Sequence, residues 1–321
     1  MESGTTTDRD RLPQLDGGLF LTDGGIETVL IFQEGIDLPL FASFDLLKDD
    51  GGTETIRTYY EPYLEIARER GSGFILESPT WRASPDWAAE LGHSDEDLAG
   101  FNRKAIELMR EIRDANESVI DPIVVSGCVG PRGDGYQPGE LMSADEAHQY
   151  HSAQVGVFAQ AGADMVTAIT MTYPEEAIGI VRAAADVGLP VAISFTVETD
   201  GRLPTGQDLG EAIELVDEET GGAPAYFMIN CAHPTHFDDA IEGDGAWRDR
   251  VLGVRANAST MSHAELDEAP ELDDGDPADL GARYAALRPS LPRLTVLGGC
   301  CGTDHRHVRE MASAWPSRSA S

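Results

Sequence analysis

Lysine is almost missing from this chain of 321 residues: Lys48 and Lys104 are the only two, so nearly all of the 23 positive charges are arginine. Against them stand 57 Asp and Glu, for a formal net charge of −34. A chain so poor in basic residues has no footprint for phosphate recognition, which excludes nucleic acid as a partner. Cysteine is scarce too, four in all with two adjacent, and that is no secretory disulfide framework. Long hydrophobic runs are absent: the longest are strand-sized, far below the ~20 residues of a membrane span. The N-terminus is polar and acidic, without the apolar stretch of a signal peptide. The expectation is a cytoplasmic protein with no membrane partner. Dinucleotide and P-loop fingerprints are also lacking, since Gly298-Gly-Cys-Cys-Gly302 has the wrong spacing.

What remains is enough for a globular enzyme. Hydrophobic residues make up 41% of the chain, sufficient for a sizeable core. The carboxylates are scattered (Asp49-Asp50, Asp95–Asp97, Asp217–Glu219, Glu271–Asp274) and form no single tail. Such a surface repels itself in dilute buffer and is relieved when salt shortens the Debye length, which reads as halophilic.

Short apolar runs alternate with amphipathic stretches. The strand candidates are Leu19–Thr22, Gly73–Glu77, Pro122–Ser126, Asp164–Ala168, Pro190–Thr196, Tyr226–Asn230, Leu252–Ala256 and Leu294–Leu297, eight in all. They lack strict alternation, as expected of parallel strands buried on both faces. Helical patterns cover Thr53–Arg70, Glu96–Ser118, Ala144–Ala161, Pro174–Val187 and Leu209–Thr220. Ser143 and Glu146 have the spacing of a capping box, and Gly71, Gly162 and Gly188 fall where helices should end. Eight β/α alternations in this length predict an α/β protein, a single-domain (β/α)8 TIM barrel over residues 17–313. Residues 1–16 read as a loose tail, 314–321 as a frayed end, and the acidic stretch Ala264–Asp279 as a loop.

The barrel gives the cysteines a geometry. Cys231 follows the sixth strand, and Cys300 and Cys301 follow the eighth, both even-numbered, so the three should converge at the barrel mouth. Glycines around the vicinal pair free the backbone for both to reach one soft metal ion, a three-cysteine zinc site with one open position. Cys128 reads as a small buried hydrophobe. His233 is a candidate fourth ligand with a simpler role in loop hydrogen bonding, and His305 and His307 read as surface residues at a helix start. Asp23, with the bare backbone of Gly24 and Gly25, ends the first strand as either a turn former or a substrate contact. Glu27 and Glu77 lie near the same mouth and suit a substrate ammonium. Three thiolates make the zinc site net −1, which quenches its power to generate hydroxide but suits a bound thiol that attacks an electrophile.

Asp23-Gly-Gly25, Gly127-Cys-Val-Gly-Pro131, Ser194-Phe-Thr196, Asn230-Cys231 and Gly298-Gly-Cys-Cys-Gly302 together resemble the homocysteine S-methyltransferase family, which includes betaine– and S-methylmethionine–homocysteine methyltransferases. The resemblance runs from about Leu19 to Met311. It implies a barrel whose Zn2+ is held by Cys231, Cys300 and Cys301, and whose fourth position takes homocysteine sulfur for attack on a small onium-type methyl donor, giving methionine. Two positions depart from the family pattern. Ile169-Thr170 stands where a Glu-Thr pair is usual, its Glu binding the homocysteine ammonium, and Val29 stands at the usual Glu place of the opening motif. A different thiol acceptor, or a barrel that binds zinc or a thiol without turnover, is the alternative. The expected partners are a small-molecule thiol acceptor and a methyl donor, with a homo-oligomer compatible.

The charge imbalance makes a direct prediction. The melting temperature should rise from dilute buffer to molar KCl, because screening relieves self-repulsion. A flat or falling curve would remove the halophilic reading.

Overall fold

A computed structural model describes residues 12–269 and 271–316. Eight parallel strands close on themselves in sequence order: β1 (Phe20–Leu21), β2 (Gly73–Glu77), β3 (Ile123–Val129), β4 (Met165–Met171), β5 (Val191–Thr196), β6 (Tyr226–Asn230), β7 (Val251–Ala256) and β8 (Val296–Gly299). Phe20 pairs with Gly73 on one side and Val296 on the other, which seals the ring. The single-domain (β/α)8 barrel is therefore the fold. The limits of β2 and β6 are those expected, while β3 and β4 run on to Val129 and Met171.

Side chains alternate across each strand and divide the interior into levels. Ile75, Val124, Met165, Ala192, Met228 and Val296 belong to one apolar cluster inside the ring. Their neighbours Phe74, Leu76, Val125, Val166 and Ile193 join the larger core beneath the helices. Two residues further along the inner faces lie Glu77, Ser126, Thr167, Ser194 and Asn230, all buried and all polar. The lower barrel is thus an apolar plug, and the upper barrel is a polar floor under the mouth.

The helices are set by local signals. Ser143 and Glu146 form the expected capping box for Ala144–Ala161, and Gly162 ends it in the left-handed region at φ 89°. Asp50–Arg70 ends the same way at Gly71. The acidic stretch 264–279 is not simply a loop. It contains most of the helix His263–Glu268, started by a Ser262–Glu265 capping box, and the first turn of Pro277–Leu287, capped by Asp276. Its run of carboxylates hid two N-terminal signals.

The described parts of both predicted ends are packed. Residues 1–11 lie outside the described part, but Leu12 and Gln14 are buried at the closed end of the barrel. Leu12 joins the inner apolar cluster, and Gln14 Nε2 lies 3.2 Å from Met165 Sδ and 3.4 Å from Tyr226 Oη. Leu12 and Gln14 therefore plug the bottom of the barrel. At the other end Trp315 is 8% exposed beneath the Arg288 guanidinium, 5.1 Å from its ring, while 317–321 lie outside the described residues. No described helix is long and apolar enough to cross a membrane.

Candidate metal centre

Cys231, Cys300 and Cys301 meet at the mouth, with their sulfurs all within 4.8 Å of one another. Cys231 takes an unusual backbone conformation for a residue with a side chain, φ +51°. Its amide donates to Arg255 O at 3.0 Å, and its carbonyl accepts from Asn257 Nδ2 at 3.0 Å and His263 Nε2 at 2.5 Å. Thr170, at the end of β4, is also left-handed at φ +67°, where the β4–β5 register shifts. Asn230 holds it there: its Oδ1 accepts from Thr170 N at 3.0 Å, and its Nδ2 donates to Thr170 Oγ1 at 2.8 Å. Backbone strain of this kind persists only where surrounding bonds enforce it.

The vicinal pair is held equally firmly. Cys300 N donates to Ala256 O at 2.8 Å, and Cys301 O accepts from Ala258 N at 3.0 Å. Gly25 packs against this turn so closely that a Cβ there would lie 2.5 Å from Cys300 O. Its amide is used as well, donating to Thr303 O at 3.0 Å. Cys231 and Cys300 are joined as a disulfide, while Cys301 is a thiol whose Sγ lies 3.3 Å from Tyr136 Oη. The expectation of three free thiolates therefore describes the reduced state of this cluster.

No histidine joins the cluster among the described residues. His233 caps the short helix Pro234–Phe237, with Nδ1 2.8 Å from Thr235 Oγ1, and burial, then Arg283 and His236, push its pKa down to about 4. His305 is exposed, and His307 is buried against Asp304. Cys128 is buried and unpaired in a disulfide, as expected of a small hydrophobe.

The acidic residues share one cavity with the cysteines, but they are not alike. Asp23 is fully engaged: Oδ1 accepts from Arg255 Nη2 at 2.7 Å and Oδ2 from Tyr59 Oη at 3.0 Å. Burial raises its pKa, and Arg255 and Tyr59 oppose the rise. Glu27 accepts from Ser43 Oγ at 2.7 Å and is also raised by burial. Glu77 is pushed up to about 7 by burial, with Arg255 opposing. Its Oε2 is buried and has no hydrogen-bond partner among the described residues. Burial works against the charge on Arg255, but Asp23 and then Glu77 outweigh it and hold the guanidinium protonated. Ile169 lines the same cavity and offers only hydrocarbon.

Sequence reasoning passed over Arg255, Tyr59 and Tyr136. The signal for Arg255 was available: it is the one charged residue in a strand otherwise buried on both faces. Tyr59 and Tyr136 sit in a helix and a loop where nothing local marks them.

A closed β/α barrel with sulfur donors and titratable groups gathered at the carboxyl ends of its strands defines an enzyme of the (β/α)8 class. Residues 20–315 match the family model for homocysteine S-methyltransferase, so the chain belongs to that family and is a methyltransferase. Homocysteine S-methyltransferase 1 of Arabidopsis thaliana is 24% identical, covering 89% of this chain and 90% of its own. The selenocysteine Se-methyltransferase of Brassica oleracea is also 24% identical, covering 94% and 90%. Among solved structures, the oxidised form of the homocysteine methyltransferase MmuM from Escherichia coli superposes with a TM-score of 0.71 at 18% identity, covering 96% of this chain and 100% of that one. Its metallated form gives 0.68 at 17%, covering 93% and 96%. At these identities the superpositions speak for the fold.

Glu77 makes a pH prediction. Its carboxyl holds a proton in the folded state up to about pH 7 but only to its ordinary 4.5 when unfolded. Between those values the folded state binds more protons, so stability falls as pH rises through the window. Glu77→Gln removes that loss. The variant should be roughly 2–3 kcal/mol more stable than wild type at pH 8 and little different at pH 4, read by urea unfolding. Equal stability at pH 8 would mean that the buried carboxyl is solvated.

Proposed function

We propose that the protein moves a methyl group from a small onium donor to the sulfur of homocysteine, with that sulfur on a zinc ion held by Cys231, Cys300 and Cys301. The observation that carries this reading is the convergence of three cysteine sulfurs within 4.8 Å at the mouth of the barrel. Sulfur donors suit zinc, and three of them leave one position for a ligand. The Cys231–Cys300 bond must be reduced before all three can serve, because only thiolates ligate. Zinc, when bound there, supplies a lowered thiol pKa and keeps the sulfur nucleophilic.

The protein's own groups would do the rest. The acceptor loses its thiol proton to solvent on binding. Its sulfur lone pair then forms the new S–CH3 bond while the donor's bond to that carbon breaks, and the pair returns to the onium atom and cancels its charge. Phe41, Trp81 and Tyr136 line the cavity, and aromatic faces favour an onium cation. Ile169 removes the acidic group that an ammonium would seek after β4, and Asp23 is already spent on Arg255 and Tyr59. Glu77, with Oε2 unpartnered, is the better ammonium contact, and Glu27, bonded to Ser43, the lesser one. Gly24 and Gly25 shape the wall between them by permitting close packing. The names of the relatives and the metallated form of the E. coli protein support the same reading.

Reduced protein should bind one zinc per chain with Zn–S near ~2.3 Å, and Cys300→Ala should lose it, as read by elemental analysis. The zinc-loaded protein should bind homocysteine in a calorimetric titration, and Glu77→Gln should weaken that binding by about 1–3 kcal/mol. Equal zinc in wild type and Cys300→Ala would sink the metal site. Absence of homocysteine binding by the loaded protein would sink the acceptor.

A further inference from the structure

The Arg255 guanidinium has one nitrogen left over. Nε donates to Gly299 O at 3.0 Å, and Nη2 donates to Asp23 Oδ1 at 2.7 Å and Gly24 O at 3.2 Å. Nη1 is buried and has no hydrogen-bond partner among the described residues. Arg255 as a whole is only 6% exposed. A charged donor without a partner on so deeply buried a side chain calls for an explanation; Arg70 Nε and Arg82 Nε are unpartnered as well, but on more exposed residues. The residue lines the cavity that also holds the three cysteines.

Opposite in charge, and lining the same cavity, is the unpartnered Oε2 of Glu77, itself 4% exposed. The two charges attract each other, but neither atom has a hydrogen-bond partner among the described residues, and together they match the two ends of a zwitterion. Asp23 does not compete for the ammonium, because both its oxygens are occupied. Ile169 does not compete either.

We infer that Nη1 of Arg255 receives the carboxylate of the acceptor, which makes Arg255 a specificity-determining residue. The inference rests on the reading that a thiol binds at the cysteine cluster. A carboxylate brought to Nη1 forms a charge-assisted hydrogen bond in a site shielded from water, where such bonds are strongest. It leaves the Asp23–Arg255 pair intact, since the pair uses Nη2. The same guanidinium therefore holds the first-strand turn in place and reads the substrate.

The test compares two ligands on the reduced, zinc-loaded protein by calorimetric titration: homocysteine and 3-aminopropanethiol, which is homocysteine without its carboxylate. Wild type should bind homocysteine at least about 10-fold more tightly. Arg255→Gln should weaken homocysteine about 10–100-fold more than it weakens 3-aminopropanethiol, so that the ratio of the two affinities falls toward one. A purely structural Arg255 would weaken both ligands alike, and that outcome overturns the inference. So does equal binding of the two ligands by wild type, a comparison that needs no variant. Arg255→Lys keeps the charge without the fork and serves the same ratio test if Arg255→Gln does not fold. If homocysteine binds but the ratio is unity, the inference alone falls. If neither thiol binds, the acceptor reading falls and takes this inference with it.

Discussion

The ion pair between Asp23 and Arg255 holds the mouth of this barrel together. The two residues lie 232 apart in sequence, one after β1 and one on β7, with β8 between them. Arg255 spans that gap because β8 ends in glycines: a Cβ on Gly298 would lie 1.9 Å from Thr22 Oγ1, and one on Gly299 equally close to Thr303 Oγ1. The bonds to Gly299 O and Gly24 O tie β8 and the turn after β1 to the same guanidinium. Cys300 follows directly from this junction, and its carbonyl lies against Gly25. The position of the sulfur cluster therefore depends on a buried pair whose desolvation is offset by close geometry and by the bonds that Tyr59, Gly24 O and Gly299 O add to it. Removing either partner would strand a buried charge, at a typical cost of about 3–5 kcal/mol.

Charge outside the barrel obeys a different rule. The surface pairs are mostly arginine with carboxylate, such as the two-point contact of Arg250 with Asp217 at 2.7 and 3.0 Å. Exposed pairs contribute little each, and they leave most of the 57 acidic groups unmatched. The resulting negative field attracts cations and repels anions at long range. An onium donor of the kind proposed would be helped toward such a surface, whereas the carboxylate of the proposed acceptor would not. On the inference above, the buried Arg255 would supply at short range the attraction that the surface denies at long range.

Much of this was readable in the sequence, and the rest was hidden for identifiable reasons. β2 and β6 have their expected limits because apolar runs stop at Glu77 and Asn230, where the inner face turns polar. The helix Ala144–Ala161 was marked at both ends by its cap residues. The cysteines were placed by strand order alone, since a barrel brings even-numbered strands to the same level. Contacts between distant segments leave no local trace. Nothing near Leu12 or Gln14 announces that they plug the barrel, and nothing near Asp23 announces Arg255. The left-handed Thr170 and Cys231 were equally silent, because the bonds that enforce them come from Asn230, Asn257 and His263.

Glu77 shows why the polar floor is there at all. A buried carboxyl with an unpartnered oxygen weakens the folded state above its raised pKa, and a glutamine or an apolar residue would pack there at less cost. The same holds for the unused Nη1 of Arg255 and for the left-handed Thr170. Three departures from the rules of stable packing converge on the cavity that holds the sulfurs. Departures of this kind gather where function demands them. An acceptor that brings an ammonium to Glu77 and a carboxylate to Arg255 would satisfy both orphaned groups at once. The cavity is thus least stable when empty, and the free energy it lacks in that state becomes available for binding.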